Sequence, residues 1–471
     1  MKRSIAVFLV LLAGGILLRV AAMRHLNWFM GSELHVDEIT YTSGDAPPWE
    51  RPPATYLAAS ISDDVPTLRT VFSFFSLVPA LALFIFTRKT PGNSLWAGLL
   101  AVEPTLAFSG LQILPSAPAA AFLALALCAM SRPVLTGWLV GIAALFRGEL
   151  LLLLPLSVPF IRPVRKWTLF ACGLISAVIP VMTVNALSGG PFATAENGPI
   201  NLWLGTSWEL LATPPGLEYE ELAGESDYTG KAMGGIASSP LRWMAMGAVK
   251  TAAFLSVPGP GRNIETPVLL GSTPLVWLLP VTAAVLALAL AGWKRDLPSA
   301  FLTAGMVSAF IFFPSVRHRA VYIPAAFFMA RSLRWKAAIP AAAAIISISL
   351  FLRYPAGVRP GLTELQHGEN LLVRGDYAGA MEYLELAEAR GYEGADLHSI
   401  RGACIASSGG DFQAAAREFS RALEMAPESP TAWKNMAALL WNYGMAEEAR
   451  YAAEKAVSLN PALRSELAPL I

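Results

Sequence analysis

Charged side chains are scarce in this sequence. Of its 471 residues only 15% are Asp, Glu, Lys or Arg, whereas 55% are hydrophobic, and the mean hydropathy is +0.50. Soluble domains carry roughly 25% charged residues, so this shortage excludes a soluble enzyme built around one core. The 35 Lys and Arg nearly balance the 34 Asp and Glu, which leaves a net charge of +1. Because nucleic-acid-binding proteins are strongly basic, we expect no nucleic-acid partner.

Cysteine is scarce as well, with three residues in the whole chain. Cys128 and Cys172 lie in apolar stretches, and Cys404 stands alone near the C-terminal end. This spacing excludes a disulfide framework and the paired cysteines of a structural zinc site. We therefore predict no metal site and no bound cofactor, and leave open whether the protein uses a divalent ion.

The charge that is present is divided unevenly along the chain. Residues 1–360 hold 26 Lys and Arg against 18 Asp and Glu, a net charge of +8, while residues 361–471 hold 9 against 16, a net charge of −7. Such an asymmetry indicates two chemically different units. We predict an apolar, basic body over residues 1–353, a linker over 354–360 and an acidic tail over 361–471.

Apolar runs near the length of a transmembrane helix recur through the body. A helix needs about 20 apolar residues to cross a bilayer, and Lys and Arg in short loops mark the cytoplasmic side. If 134–160 is a pair of short helices that turn near Arg147, the basic loops alternate consistently with about eleven spans. The prediction is an all-α polytopic bundle with a cytoplasmic N-terminus and an external tail. The runs are 5–23, 65–87, 95–114, 117–130, 134–160, 167–187, 267–293, 297–313, 321–330 and 337–352.

This topology places two long loops, 25–64 and 188–266, on the outer side. Within the second loop, residues 240–257 have the pattern of an amphipathic helix on the outer surface, with Lys250 among apolar residues. Another span there would reverse every later loop and put Lys294 outside, which disfavours it. Arg19 and Arg24, at the outer end of the first span, are exceptions to the charge rule.

The acidic tail repeats with a period near 34 residues. Its last two copies align without a gap at four positions, which are Gly410/Gly444, Ala415/Ala449, Ala422/Ala456 and Pro427/Pro461. This period and these small residues are typical of tetratricopeptide (TPR) helix pairs, and an earlier copy makes three repeats. The tail is therefore predicted to be an α-solenoid. Such arrays bind a protein partner in their concave face or serve as spacers.

Polar residues crowd into the first outer loop, between the first two spans. Asp37, Glu38 and Tyr41 follow an apolar segment, and Glu50 stands close to the second span. Ionisable groups held at the membrane surface are candidates for function, and the Pro52-Pro53 pair fixes the chain direction next to them. The alternative is an ordinary solvated loop.

Two motifs in this loop, Asp-Glu-x-x-Tyr at 37–41 and Glu-Arg-Pro-Pro-x-x-Tyr at 50–56, resemble those of the GT-C glycosyltransferases. The branch with protein O-mannosyltransferases and the bacterial transferases that place aminoarabinose on lipid A is the most similar. This resemblance implies a GT-C-like body in a bacterial-type inner membrane. It also implies a polyprenyl-phosphate-linked sugar donor and transfer to a hydroxyl of a lipid or protein acceptor on the outer face, where a periplasmic or extracellular tail would lie.

Carried onto this sequence, the resemblance makes Asp37 the base that deprotonates the acceptor in a single inverting displacement. Glu38 and Glu50 complete the catalytic group. The residues that it implies in positioning the acceptor are Tyr41, Arg51 and Tyr56. Since a lipid phosphate leaves as a stable anion, one base is sufficient. The stretch between Asp37 and Glu50 is shorter than in these relatives, which leaves the acceptor class open.

A lipid-phosphate donor also needs cations near the outer surface. We predict that four residues bind it, which are Arg147, Lys250, Arg317 and Arg319. Glu149 stands two residues after Arg147. The alternative to phosphate binding by Arg147 is a buried Arg147–Glu149 ion pair that holds two helices together. Arg317 and Arg319 are predicted in a loop between spans, where the alternative is anchoring to lipid headgroups.

Two other functions remain open. O-antigen polymerases and ligases also join many spans to TPR repeats, and in that case Arg317 and His318 would carry the chemistry. A non-catalytic scaffold would use the body only as an anchor for the repeats. Neither explains the acidic motifs of the first loop. Glu103, inside an apolar run, is either a helix-packing acid or part of a lipid pocket.

Overall fold

In the computed structural model of this chain, all regular secondary structure among the described residues is helical. The chain divides into two compact units, Met1–Gly357 and Val358–Ile471. This division falls within the predicted linker. The described residues are 2–25, 41, 53–62, 64–87, 93–195, 197–206, 227–260, 273–331, 335–352, 361–373, 375–459 and 463–471.

The first unit, called the body below, has sixteen α-helices among its described residues. Two 3₁₀ helices, Gly148–Leu152 and Pro274–Leu278, precede α8 and α13. In chain order the α-helices are α1 (Lys2–His25), α2 (Pro53–Ala59), α3 (Val65–Thr87), α4 (Asn93–Ala101), α5 (Pro104–Ser109), α6 (Ser116–Cys128), α7 (Pro133–Phe146), α8 (Leu153–Leu156), α9 (Val164–Leu187), α10 (Gly198–Leu204), α11 (Tyr228–Ser238), α12 (Pro240–Leu255), α13 (Leu279–Ala291), α14 (Leu297–Ile311), α15 (Val316–Ala330) and α16 (Trp335–Phe351).

Four segments of the described residues are long and apolar enough to cross a membrane, so the prediction of about eleven spans is not supported. They are Ser4–Arg24, Val65–Phe86, Val164–Leu187 and Pro274–Ala291. Shorter apolar helices account for other predicted runs, which are Ser116–Cys128, Pro133–Phe146, Leu297–Ile311 and Ala337–Phe351. The predicted helix at 240–257 is present as α12 and is not among the candidate spans.

Breaks in the backbone explain why some predicted spans are not continuous helices among the described residues. The run 95–114 is not one helix, because α4 ends at Ala101 and α5 begins at Pro104. The second half of 134–160 is the 3₁₀ helix and the four-residue α8 instead of a second helix of the predicted pair. A hydropathy average adds up the hydropathy of side chains along a window of sequence, so it does not detect such breaks in the helix.

Glu103 caps the helix that restarts after the first break. Its carboxylate accepts hydrogen bonds from the backbone N–H of Leu106 (2.6 Å), the hydroxyl of Thr105 (2.8 Å) and the hydroxyl of Thr282 on α13 (2.5 Å). Pro104 occupies the first helical position, where a missing N–H costs nothing. Of the two roles left open for Glu103, the structure therefore shows helix packing.

Arg19 is enclosed by the helices and is not a loop charge, which explains its exception to the charge rule. Its side chain is 3% exposed. It donates hydrogen bonds to Ser76 Oγ on α3 (2.8 Å) and to the carbonyl of Ala101 at the end of α4 (2.7 Å). Arg19 therefore joins three helices at the point where α4 stops.

The second unit, called the tail below, contains the three helix pairs that the 34-residue period predicts. Each pair turns at a glycine with positive φ, which are Gly375, Gly409 and Gly444. Alanines such as Ala415, Ala422, Ala449 and Ala456 are fully buried where paired helices touch. The pairs are α17 (Leu362–Val373) with α18 (Tyr377–Ala389), α19 (Ala395–Ser407) with α20 (Phe412–Met425), and α21 (Pro430–Asn442) with α22 (Ala446–Leu459).

Candidate functional site

Two of the residues predicted from the first outer loop are described by the structure, and they are in contact. The rings of Tyr41 and Tyr56 meet edge to face, with centroids 5.1 Å apart, and Tyr41 is buried. Four other predicted residues of this loop lie outside the described residues: Asp37, Glu38, Glu50 and Arg51. The structure therefore brings together the last residue of each motif, Tyr41 and Tyr56.

Helix α2, which carries Tyr56, packs against α7. Thr55, Ala58 and Ala59 are its buried residues. Helix α7 ends at Phe146, and Arg147 is its C-cap residue in an extended conformation. The described end of the second motif, residues 53–56, is therefore held against the helix that leads to Arg147.

Arg147 forms a largely buried polar contact at the break after α7. Its Nε lies 2.5 Å from a carboxylate oxygen of Glu149, and one Nη donates to the hydroxyl of Ser116 (3.2 Å). The two charged side chains are 11% and 14% exposed. The ion pair joins near neighbours in sequence, so it is the Ser116 contact that links this turn to another helix, α6. Arg147 therefore stands where two helix ends meet.

Polar groups without hydrogen-bond partners lie on the elements that meet here. The buried hydroxyl of Tyr322 on α15 interacts electrostatically with Glu149 and Arg147 but has no hydrogen-bond partner among the described residues. The side chains of Ser109 and Gln112, in the buried stretch that runs into Ser116, also have no hydrogen-bond partner there. A buried polar group left unpaired costs about 1–3 kcal/mol, so such groups indicate a place for water or a ligand.

We call Arg147, Glu149, Ser116 and Tyr322 the α7-end cluster. From the sequence, only Arg147 is predicted as a site residue, with Glu149 as its partner in the alternative ion pair. Ser116 and Tyr322 are single polar residues in or beside apolar runs and belong to no motif. Ser109, Gln112 and Ser116 do interrupt the apolar stretch 105–127 at short intervals. A search for polar residues within and next to the predicted spans would have found them.

Lys250 is engaged by backbone carbonyls, which does not fit its predicted role in phosphate binding. Its Nζ donates to the carbonyls of Gly205 (2.8 Å), Phe312 (2.8 Å) and Ile311 (3.2 Å). An ammonium group has three donors, and these acceptors occupy all of them. Burial lowers the pKa of Lys250 to about 7. Lys250 thus closes the C-terminal ends of α10 and α14.

The segment with Arg317 and Arg319 is the first turn of α15 and not the predicted loop. Arg319 is almost fully buried and donates to the carbonyls of Phe254, Ser256 and Pro258, so it braces the chain that follows α12 and does not reach outward to a phosphate. Arg317 is half-buried. His318 Nδ1 lies 2.7 Å from the hydroxyl of Ser315, the N-cap residue.

No protein family and no curated protein matches this sequence. Among solved structures, the chain is similar to the crystal structure of the APC/C hetero-tetramer Cut9-Hcn1, with 12% identity and a TM-score of 0.24 over 89% of this chain and 84% of that chain. A TM-score of this size does not establish a common fold. The assignment of the tail as TPR-like therefore rests on its own period and helix pairs.

Proposed function

We propose that this protein is an integral membrane glycosyltransferase that uses a polyprenyl-phosphate-linked sugar donor. The α7-end cluster is the observation that carries the proposal. It places a guanidinium and several buried hydrogen-bonding groups at a helix break inside an apolar body. A donor with a phosphate and a sugar needs this combination, since the phosphate requires a positioned cation and the hydroxyls require polar partners.

Arg147 is suited to the leaving phosphate. A guanidinium has five N–H donors. Glu149 and Ser116 occupy two of them among the described residues, so three are left for an anion. Positioned donors of this kind stabilise the charge that develops as the phosphate departs. In the proposed reaction the acceptor hydroxyl loses its proton to Asp37 and attacks the anomeric carbon, while the bond to the phosphate oxygen breaks.

The loop motifs supply the acceptor side in this proposal. Glu38 and Glu50 orient Asp37, and Arg51 positions the acceptor with Tyr41 and Tyr56. The contact between the two tyrosines supports this arrangement, because it ties the chain after Asp37 to α2. The acceptor is a lipid or protein hydroxyl on the outer face, and a divalent ion remains an open part of the reaction.

The tail is proposed to bind a protein partner through its helix pairs on the outer side of a bacterial-type inner membrane, with the N-terminus in the cytoplasm. The sequence supports this orientation through the basic loops of the body. A scaffold without catalysis would leave the α7-end cluster without a role. A polymerase or ligase would depend on Arg317 and His318, and the hydrogen bond between the ring of His318 and the hydroxyl of the N-cap Ser315 supports a structural role for that histidine instead.

The decisive experiment compares Asp37→Asn with Asp45→Asn, a matched control in the same loop. The full-length protein in vesicles receives a radiolabelled polyprenyl-phosphate sugar, and transfer to the acceptor fraction is measured. Loss of a general base lowers kcat by about 10²–10⁴-fold, so Asp37→Asn should lose transfer while Asp45→Asn keeps it. An active Asp37→Asn together with inactive Arg317→Ala and His318→Ala would establish the polymerase-like alternative.

A further inference from the structure

A groove lies at the end of the body where α6, α13, α14 and α15 have their termini. Its volume is about 410 Å³, and its lining residues are Met130, Lys294, Asp296, Pro298, Phe328 and Arg331. Helix α6 begins at Ser116 in the α7-end cluster and ends two residues before Met130. The groove is therefore at the opposite end of this helix from the candidate site.

Both walls of the groove come from helix ends that touch. An ideal Cβ on Gly292, just after α13, would lie 2.5 Å from the carbonyl of Met329 near the end of α15. Lys294 stands three residues beyond the candidate span Pro274–Ala291. Phospholipid headgroups lie at this level of a membrane, immediately beyond the apolar part of a span.

The groove carries an excess of positive charge. The lining includes two cations, Lys294 and Arg331, and one carboxylate, Asp296. Asp296 is the N-cap residue of α14, and its carboxylate accepts hydrogen bonds from the backbone N–H of Ser299 (3.1 Å) and from the hydroxyl of Ser299 (2.7 Å). The guanidinium of Arg331 lies 5.5 Å from the ring centroid of Phe328. Its buried Nε has no hydrogen-bond partner among the residues that the structure describes. An N–H of a guanidinium is best satisfied by an anionic oxygen.

We propose that this groove binds the phosphate of an anionic phospholipid from the leaflet around this end of the helices. Lys294 and Arg331 contact the phosphate oxygens, and the apolar wall of Met130, Pro298 and Phe328 contacts the upper part of an acyl chain. The combination of cations with an apolar wall favours a lipid over a free anion, because a free anion has no apolar group that could contact the wall. Basic pockets between membrane helices bind anionic headgroups in this way.

The test measures the association of spin-labelled phosphatidylglycerol and phosphatidylcholine with the full-length protein in vesicles. Wild-type protein should prefer phosphatidylglycerol. Lys294→Gln and Arg331→Gln should each lower that preference by about fivefold, which is the effect expected when one cation near an anionic lipid surface is removed. Arg295→Gln is the matched control, since Arg295 is the exposed neighbour of Lys294 and does not line the groove.

Further variants separate charge from folding. Arg331→Lys keeps the positive charge and should keep most of the preference for phosphatidylglycerol. Lys294 is exposed, so Lys294→Gln should leave the packing of the helices intact. Circular dichroism and gel filtration check that each variant is folded. The proposal is overturned if wild-type protein binds both lipids equally, or if Arg295→Gln lowers the preference as much as Lys294→Gln. Displacement of the lipid by millimolar inorganic phosphate would also overturn it, because the site would then bind free anions.

Discussion

Three buried cations of the body contact backbone carbonyls at or just beyond the ends of helices. Arg19 donates to the last residue of α4, Lys250 to the ends of α10 and α14, and Arg319 to the chain after α12. The C-terminal end of a helix carries a partial negative charge and unpaired carbonyls, so it is a suitable partner for a cation in apolar surroundings. These three side chains connect segments that are distant in sequence.

We predict that Lys250→Met destabilises the protein without weakening donor binding. The variant leaves the carbonyls of Gly205, Ile311 and Phe312 without their donor, which we expect to cost about 3 kcal/mol. Thermal unfolding in detergent measures this loss, with Arg295→Met as the exposed control. In the folded variant the KM for the donor should be unchanged. A raised KM with normal stability would instead show that Lys250 binds the phosphate.

The composition of the sequence could not separate these structural cations from a functional one. Arg147 and Lys250 both appear as isolated positive charges in apolar runs. Their difference lies in which carbonyls are within reach, and that depends on helix ends that are distant in the chain. The Arg147–Glu149 pair was foreseeable from its spacing. That Gln112 and Tyr322 have no hydrogen-bond partner among the described residues became visible only through packing.

At the scale of helices, close approach depends on glycine. Helices α7 and α9 cross so closely that a Cβ on Gly137 would lie 1.9 Å from the carbonyl of Phe170, and one on Gly173 would lie 2.1 Å from the carbonyl of Val134. Small residues at such crossings let the backbones of membrane helices pack directly. This crossing positions α7, and with it the Arg147 turn.

Gly137→Ala should therefore force α7 and α9 apart. We expect a loss of about 1–3 kcal/mol in stability, the usual cost of overpacking, together with reduced sugar transfer because Arg147 moves with α7. Gly234→Ala is the matched control, since no atom of the described residues lies within 4 Å of a Cβ added to that helical glycine on α11. Thermal unfolding and the transfer assay provide the two measurements. Equal stability of the two variants would contradict the close crossing.

The long helices α3 and α9 agree with the hydropathy runs to within three residues, because an unbroken apolar helix is what a hydropathy window detects. Broken elements such as α4 and α5 were predicted as one span. The Glu103-Pro104 pair marks that break in the sequence, since an acceptor followed by proline is typical of a helix start. The repeats of the tail were predictable for a similar reason, because their pattern is local and recurs.

At the scale of the whole molecule, each unit has its own hydrophobic core. The body has one large cluster of buried residues, which includes Phe72, Phe108 and Tyr322. The buried residues of the tail form smaller clusters along the helix pairs, for example around Leu384 and Ala437. Among the described residues, none of these clusters combines the two units, so the buried core divides near the place where the charge divides.

Removal of residues 358–471 should therefore leave the body folded and able to transfer sugar to a soluble acceptor mimic. The division after Gly357 cuts through none of the hydrophobic clusters found in the described part of the chain, so the helix content per residue of the body should be retained. The measurement compares kcat/KM of the full chain and of the shortened variant with one donor in vesicles, and circular dichroism confirms folding. Unchanged kcat/KM on the mimic, with transfer to the natural acceptor fraction lost, would assign the tail to acceptor recruitment. A folded but inactive body would contradict the prediction and show that the tail supplies part of the site.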